Sequence, residues 1–377
     1  MFSSTPPQTR LHDDFGHIEG HAIVAKGLVT EICEKPPKAP SIEGSIKILK
    51  TIDVNCDAMC CKFSENCEKF AVGLANGDVK IYKASSGSSI YHLADEDTKS
   101  DRLPVTSVNF IPADVSTRGE MLIATYAGGM MKFWHVATCT CLQSIHEPRQ
   151  ILAASVCPSV SCIVTAGSTE QINIYDVETG QKTRVCEPSP NRLVMDGHRF
   201  RVFALKHHPL DDHTFLSGGW DDTIQVWDQR EDHAIRRIYG PHICGDGIDI
   251  NKKYNHILTA SWRKDNVLQV WDLKSGTKLK TIPPDFSGDS MLYCCQWLGM
   301  EHMICGGTEK NMIRIVDKTT LATSGIVSDL PKGIYSVDHD RVRLASHPHS
   351  DATLIVATAG NQIYMLSNAP VRGSSSV

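Results

Sequence analysis

The side chains best suited to chemistry crowd into a short stretch of this 377-residue chain. In HHPLDDH, His207, His208, Asp211, Asp212 and His213 have the composition of a divalent-metal site. Nearby, His198 and Asp221 could serve as an acid/base pair. Fourteen cysteines add further potential ligands. Spacing argues against each chemistry. HHPLDDH fits no standard ligand pattern, and no Cys-x-x-Cys occurs anywhere. Nor is there a Gly-x-Ser-x-Gly elbow, a His-Glu-x-x-His, a phosphate-binding loop or a dinucleotide fingerprint. No catalytic residue, metal, cofactor or small-molecule substrate is expected.

The elements around these residues explain them better. Short β-branched and aromatic segments recur: VKIYK (79–83), MKFWHV (131–136), INIYDV (172–177), IQVWDQ (224–229), LQVWDL (268–273), IRIVDK (313–318) and a weaker QIYMLS (362–367). Their aromatic positions are Tyr82, Trp134, Tyr175, Trp227, Trp271, Val316 and Leu366, separated by 52, 41, 52, 44, 45 and 50 residues. Each segment follows another strand that ends in small residues, such as FLSGGW or ILTASW, and a further strand such as AMCCKF, RVFALKH or RVRLASH comes before that. Alternating apolar residues closed by Gly, Asn or Asp are strand–turn–strand chemistry. Helical periodicity is nearly absent. The period is that of a four-stranded propeller blade with insertions. The His-Pro of HHPLDDH returns in SHPHSD (346–351), 139 residues on, so the segment reads as a repeat hairpin.

Across residues 45–367 these segments resemble WD40 repeats, and the expected fold is an all-β, seven-bladed propeller. His198, His242 and His146 each stand 29 residues before Trp227, Trp271 and Tyr175, and Gly197-His198 with Trp227-Asp228 gives the best copy. The resemblance implies a buried tetrad of His198, Ser217, Asp221 and Trp227. A looser one joins His242, Thr259 or Ser261, Asp265 and Trp271. A closed network of this kind satisfies the buried indole and imidazole and fixes how the strands stack. On that reading His198 and Asp221 are framework residues.

Because the last copy is followed only by a short polar tail, SIKILKTI (45–52) is expected to supply the closing strand and remove an exposed edge. Residues 1–44 then form an extension, in which HAIVAKGLVTEI (21–32) could add an edge strand or dock on a face. Residues 368–377 form a disordered tail. The first residues lack the basic and apolar regions of a signal peptide, and no apolar run is long enough to cross a bilayer. Cysteine doublets such as Cys60-Cys61 lie in strand-like runs and read as reduced, small buried residues. An intracellular, cytoplasmic setting is expected; nuclear, cytoskeletal and ciliary settings stay open. Lys+Arg 38 against Asp+Glu 43 gives a charge of −5, a poor footprint for nucleic acid despite Arg199, Arg201, Arg263 and Lys264.

Function is therefore expected on the surface. The loops of one face hold Arg199, Phe200, Trp220, Trp262, Arg263, Tyr126 and Phe286. Trp220 and Trp262 fall in equivalent turns, where a tryptophan has no strand-packing duty, and Trp, Tyr and Arg dominate interface hot spots. These rings either bind a partner protein in a multiprotein assembly or plug the channel. A second expectation concerns FLSGGWDDTIQVWDQR (215–230), which resembles the WDxR box of proteins that dock on cullin-4 ubiquitin ligases. Arg230 would be its key residue, with a rigid donor fork for an acidic surface.

Overall fold

The computed structural model describes residues 39–368 apart from residues 192, 286, 287, 289 and 342–352. Its strands form seven antiparallel sheets, each built on four consecutive strands or closed by one borrowed from the N-terminal side. Blade four is typical, with strands Val202–His208, Asp211–Gly219, Thr223–Asp228 and Arg236–Tyr239 running outward in chain order. The first strands of successive blades pack on one another, and the seventh packs on the first, which closes the ring. The chain is a seven-bladed β-propeller.

Closure uses the segment expected. Ile46–Asp53 pairs with Gln362–Asn368 as the fourth strand of blade seven. The extension does not end at residue 44, however. Ser41–Gly44 pairs with Thr323–Ser328 as a fifth strand on blade six, since the chain must cross that blade's edge to reach blade seven. Segment 21–32 and the tail from residue 369 lie outside the described residues. Blade seven corrects a second expectation. Its first strand is Ile334–His339, ahead of RVRLASH, so the ungapped 139-residue match does not carry strand for strand. One 52-residue spacing is filled by a helix, Glu96–Asp101, with a capping box between Asp95 and Thr98.

Cores form between blades. Leu216, Ile224, Val226 and Ile238 of blade four pack with Ile243, Ile250, Ile257 and Trp271 of blade five. Cys60, Cys61, Cys294 and Cys295 are buried in first strands, and burial pushes the Cys60 thiol up to about 12.

The register places one polar residue per blade at a common level. Lys62, Asn109, Ser155, Lys206, Asp249, Gln296 and Asp338 each stand opposite the equivalent residue of their second strand. Several of them also join neighbouring blades. Asp338 accepts the Phe63 N–H at 2.7 Å, Asp249 the Trp297 N–H at 2.8 Å, and the Ser155 hydroxyl the His207 N–H at 3.1 Å. Lys206 and Asp249 close an ion pair at 2.8 Å, and Lys62 approaches Asp338 at 3.8 Å. Buried charges are tolerated here because each has a partner.

Candidate functional site

Blade four begins with the network that holds it. His198 Nε2 and Trp227 Nε1 both meet the Ser217 hydroxyl, at 2.6 and 2.7 Å. His198 Nδ1 lies 2.9 Å from Asp221, which also accepts from the Arg199 N–H at 2.9 Å and the Thr223 hydroxyl at 2.8 Å. Burial opposes ionisation of Asp221, but these donors outweigh it and hold the carboxyl below its ordinary range. The tetrad thereby fixes two segments at once: His198-Arg199-Phe200, entering the first strand, and Gly219-Trp220-Asp221, leaving the second.

Blade five departs from the expected tetrad. Trp271 Nε1 donates to Thr259 Oγ1 at 3.0 Å, but His242 turns away to Asp222 of blade four, 2.7 Å from Nδ1. The turn from Ser261 to Val267 is longer than its blade-four counterpart. It carries Asp265 out to solvent, where its carboxylate meets Asn266. With that carboxylate out of reach, the imidazole pairs across the seam between blades. Blade three differs again. His146 is exposed, and the buried group is Glu147, which accepts from Thr165 at 2.5 Å, Asn173 at 2.8 Å and Tyr175 at 3.0 Å and pairs with Arg149 at 2.6 Å.

The turn after the second strand makes the same backbone bond in blade after blade. Its N–H bonds a carbonyl ahead of the first strand: Ala75 to Asp57, Ala127 to Pro104, Ser168 to Gln150, Trp220 to Arg201 and Thr308 to Met291, each directly before that strand, and Trp262 to His242, six residues before Ile248. By register the seventh position is Gly360. Small or hydroxyl residues serve in five blades; tryptophan stands only in blades four and five.

A second shared device lies on the same side. A bulge near the start of the first strand displaces Met59, Thr106, Leu152, Phe203, Tyr293 and Tyr335 in six blades, and Asp246 stands just ahead of the first strand, Ile248–Asn251, of blade five. All seven line a central cavity of about 1000 Å³. The mouth is thus lopsided. Trp220 stacks on Phe203 at 5.2 Å and on His242 at 6.3 Å, with the Arg201 guanidinium 5.8 Å from its ring. Its Nε1 donates to Cys244 Sγ at 2.9 Å, a thiol kept neutral by burial, which pushes it up to about 11. Trp262 stacks on Tyr293 at 6.2 Å, and Tyr293 meets Tyr335 at 5.2 Å. Trp220 remains 38% exposed and Phe200 62%.

The other expected residues separate. Arg199 clasps its own loop through the Val194 carbonyl at 2.8 Å and approaches Asp196 at 3.9 Å. Arg263 pairs with Asp222 at 2.6 Å. Tyr126 is buried at the end of its strand, and Phe286 lies outside the described residues. Arg230 is exposed, yet its guanidinium is held by Asp228 at 2.9 and 2.6 Å, so the fork meant for a ligase adaptor is already paired. The HHPLDDH side chains diverge: His207 to Ser155, His208 to Asn255, Asp211 to Thr214 and Asp212 to the Ser159 N–H. Among the described residues, no three potential ligands converge as a metal site would require. No helix among them is long and apolar enough to cross a membrane.

Seven four-stranded blades and the His–Ser–Asp–Trp network define the class: this chain is a WD40-repeat β-propeller protein. The family model "WD domain, G-beta repeat" matches residues 190–228, the blade with the complete tetrad. The chain is similar to the ribosome biogenesis protein YTM1 of Phaeosphaeria nodorum, 28% identical over 34% of this chain and 25% of that protein. It is similar to WD repeat-containing protein 25 of Mus musculus, 30% identical over 39% of this chain and 25% of the relative. WD repeat-containing protein 18 of Homo sapiens is 25% identical over 52% of this chain and 45% of its own length. The chain thus spans about a quarter of the length of the first two relatives. None of these similarities, and no feature of Arg230, supports the ligase-docking expectation.

Proposed function

We propose that this chain is a non-enzymatic scaffold that binds protein partners in a multiprotein assembly. Its principal contact is the channel mouth at blades four and five. One observation carries the reading: tryptophan occupies positions 220 and 262, where Ala75, Ala127, Ser168 and Thr308 make the same backbone bond in four other blades. The fold does not require those rings, and a large, partly exposed aromatic held rigid by its neighbours loses little entropy on binding. Phe200, exposed in the other segment that the tetrad anchors, widens the surface.

The relatives bear on the setting. Ribosome biogenesis, for which YTM1 is named, is nuclear and nucleolar work. It favours a nuclear setting over the cytoplasmic one expected from the sequence. A protein partner suits the charge of −5 better than direct RNA contact. The test is affinity purification of the tagged full chain beside a Trp220→Ala/Trp262→Ala variant. The expected result is loss of the same co-purifying proteins with the melting temperature preserved. An unchanged set of proteins would exclude this face as the docking site.

A further inference from the structure

Within the aromatic arc of the mouth one group is out of character. Residue 246, just ahead of the first strand of blade five, is an aspartate, whereas the bulge residues that line the same cavity in blades four, six and seven are Phe203, Tyr293 and Tyr335. Among the described residues no hydrogen-bond donor and no cation reaches its half-buried carboxylate. The closest cationic influences are Lys62 and Lys206, whose ammonium groups face Asp338 and Asp249 instead. Burial raises the carboxyl above its ordinary value, so the anion lacks the compensation that the other channel carboxylates have.

The residue is also held in place. Its carbonyl accepts the Cys295 N–H at 3.1 Å, tying the segment to blade six. A side chain at Gly245 would meet the Tyr293 carbonyl at 2.7 Å, and one at Gly247 the Ala260 carbonyl at 2.6 Å. Only glycine on both sides lets the aspartate sit this close to both blades. A fixed, uncompensated carboxylate bordered by aromatic faces has the chemistry of a receptor for a cation carried on an apolar stem. Phosphate would be repelled, and a metal ion would need further ligand oxygens, which do not converge among the described residues.

We infer that the mouth receives a lysine or arginine side chain of a partner protein, its charge on Asp246 and its stem against Trp262, Tyr293 and Tyr335. This rests on the reading of the face as a docking surface and names what the partner must present. The site is pre-formed, so affinity comes from pairing one desolvated charge and not from reordering a loop.

The experiment selects a phage-displayed random dodecapeptide library on the full chain. Selected peptides are then titrated against the wild type, Asp246→Asn and Trp220→Ala/Trp262→Ala. The expected peptides share a basic residue. Replacing it with neutral citrulline or norleucine, or using Asp246→Asn, weakens binding by about tenfold or more. The peptide substitution leaves the protein untouched, so it decides the matter even if the Asp246 variant folds poorly. Peptides that need the two tryptophans but no basic residue overturn this inference alone. Peptides indifferent to the tryptophans, or no selected peptide at all, overturn the docking face and this inference with it.

Discussion

Blades one to three and blades four to seven build the same mouth with different side chains. Both halves use a turn N–H bonded before the first strand and a bulge one step inside it. In the first half these positions carry Ala75, Ala127, Ser168, Met59, Thr106 and Leu152. In the second half they include Trp220, Trp262, Phe203, Asp246, Tyr293 and Tyr335. The plain half shows what the propeller needs at these points, which is backbone geometry. The aromatic half shows what has been added to it.

The largest effects should come from the networks beneath each half. His198→Ala leaves Ser217 and Asp221 without their buried partner and should cost about 3 kcal/mol, read by chemical denaturation. It should also weaken partner binding, because it frees the segments bearing Phe200 and Trp220. Glu147→Ala takes the counter-ion from Arg149 in blade three, leaving it neutral acceptors alone, and should cost roughly 3–5 kcal/mol. Binding by the remaining folded protein should be unaffected. If the two variants alter binding equally, the halves are not functionally distinct.

Acid should act chiefly on the second half. Among the described residues, the buried histidines lie in blades four and seven. Burial holds His207 and His339 neutral, lowering each from 6.5 to about 4. The unfolded chain takes up these protons near pH 6.5 and the folded chain only near pH 4. This stability is therefore complete above the window and lost as pH falls through it, by about 1–3 kcal/mol per histidine at its foot. His207→Gln should flatten the slope of stability against pH between those limits. An unaltered slope would show that His207 is not buried as a neutral ring.

Smaller effects sharpen the contrast. Ala127→Trp should fold with a stability change within about 1 kcal/mol, because the turn asks only for its backbone bond. It should not create a binding face, since the bulge residue of that blade is Thr106, where blade four stacks Phe203 on Trp220. Arg230→Glu breaks only an exposed pair with Asp228 and should change stability by less than about 0.5 kcal/mol, with co-purifying proteins unchanged. Loss of partners in that variant would reopen the ligase reading.

The ring and its best blade were legible because the signals are local. Strand endings, small-residue turns and the 29-residue spacing of His198 to Trp227 all lie within one repeat. The same spacing misled in blade three, where His146 has the right number but is the exposed last residue of the preceding strand, and Glu147 after it is buried instead. In blade five it found His242, but two extra turn residues sent the imidazole to Asp222. The helix at Glu96–Asp101 could have been read from Asp95 and Thr98, a capping pair within a polar run. Asp246 could not have been found this way. Its meaning depends on where six bulged strands and the segment ahead of a seventh bring their side chains, and on partners it lacks, neither of which periodicity records.

The most direct test compares matched pairs from the two halves. Co-purifying proteins should be quantified by mass spectrometry for the wild-type chain, Trp220→Ala/Trp262→Ala, and Met59→Ala/Leu152→Ala, with thermal melting measured on each. The account predicts that the tryptophan pair loses the principal partners while the opposite pair keeps them, all three proteins remaining folded. Equal retention by both pairs, or equal loss, would contradict a binding face confined to the aromatic half of the mouth.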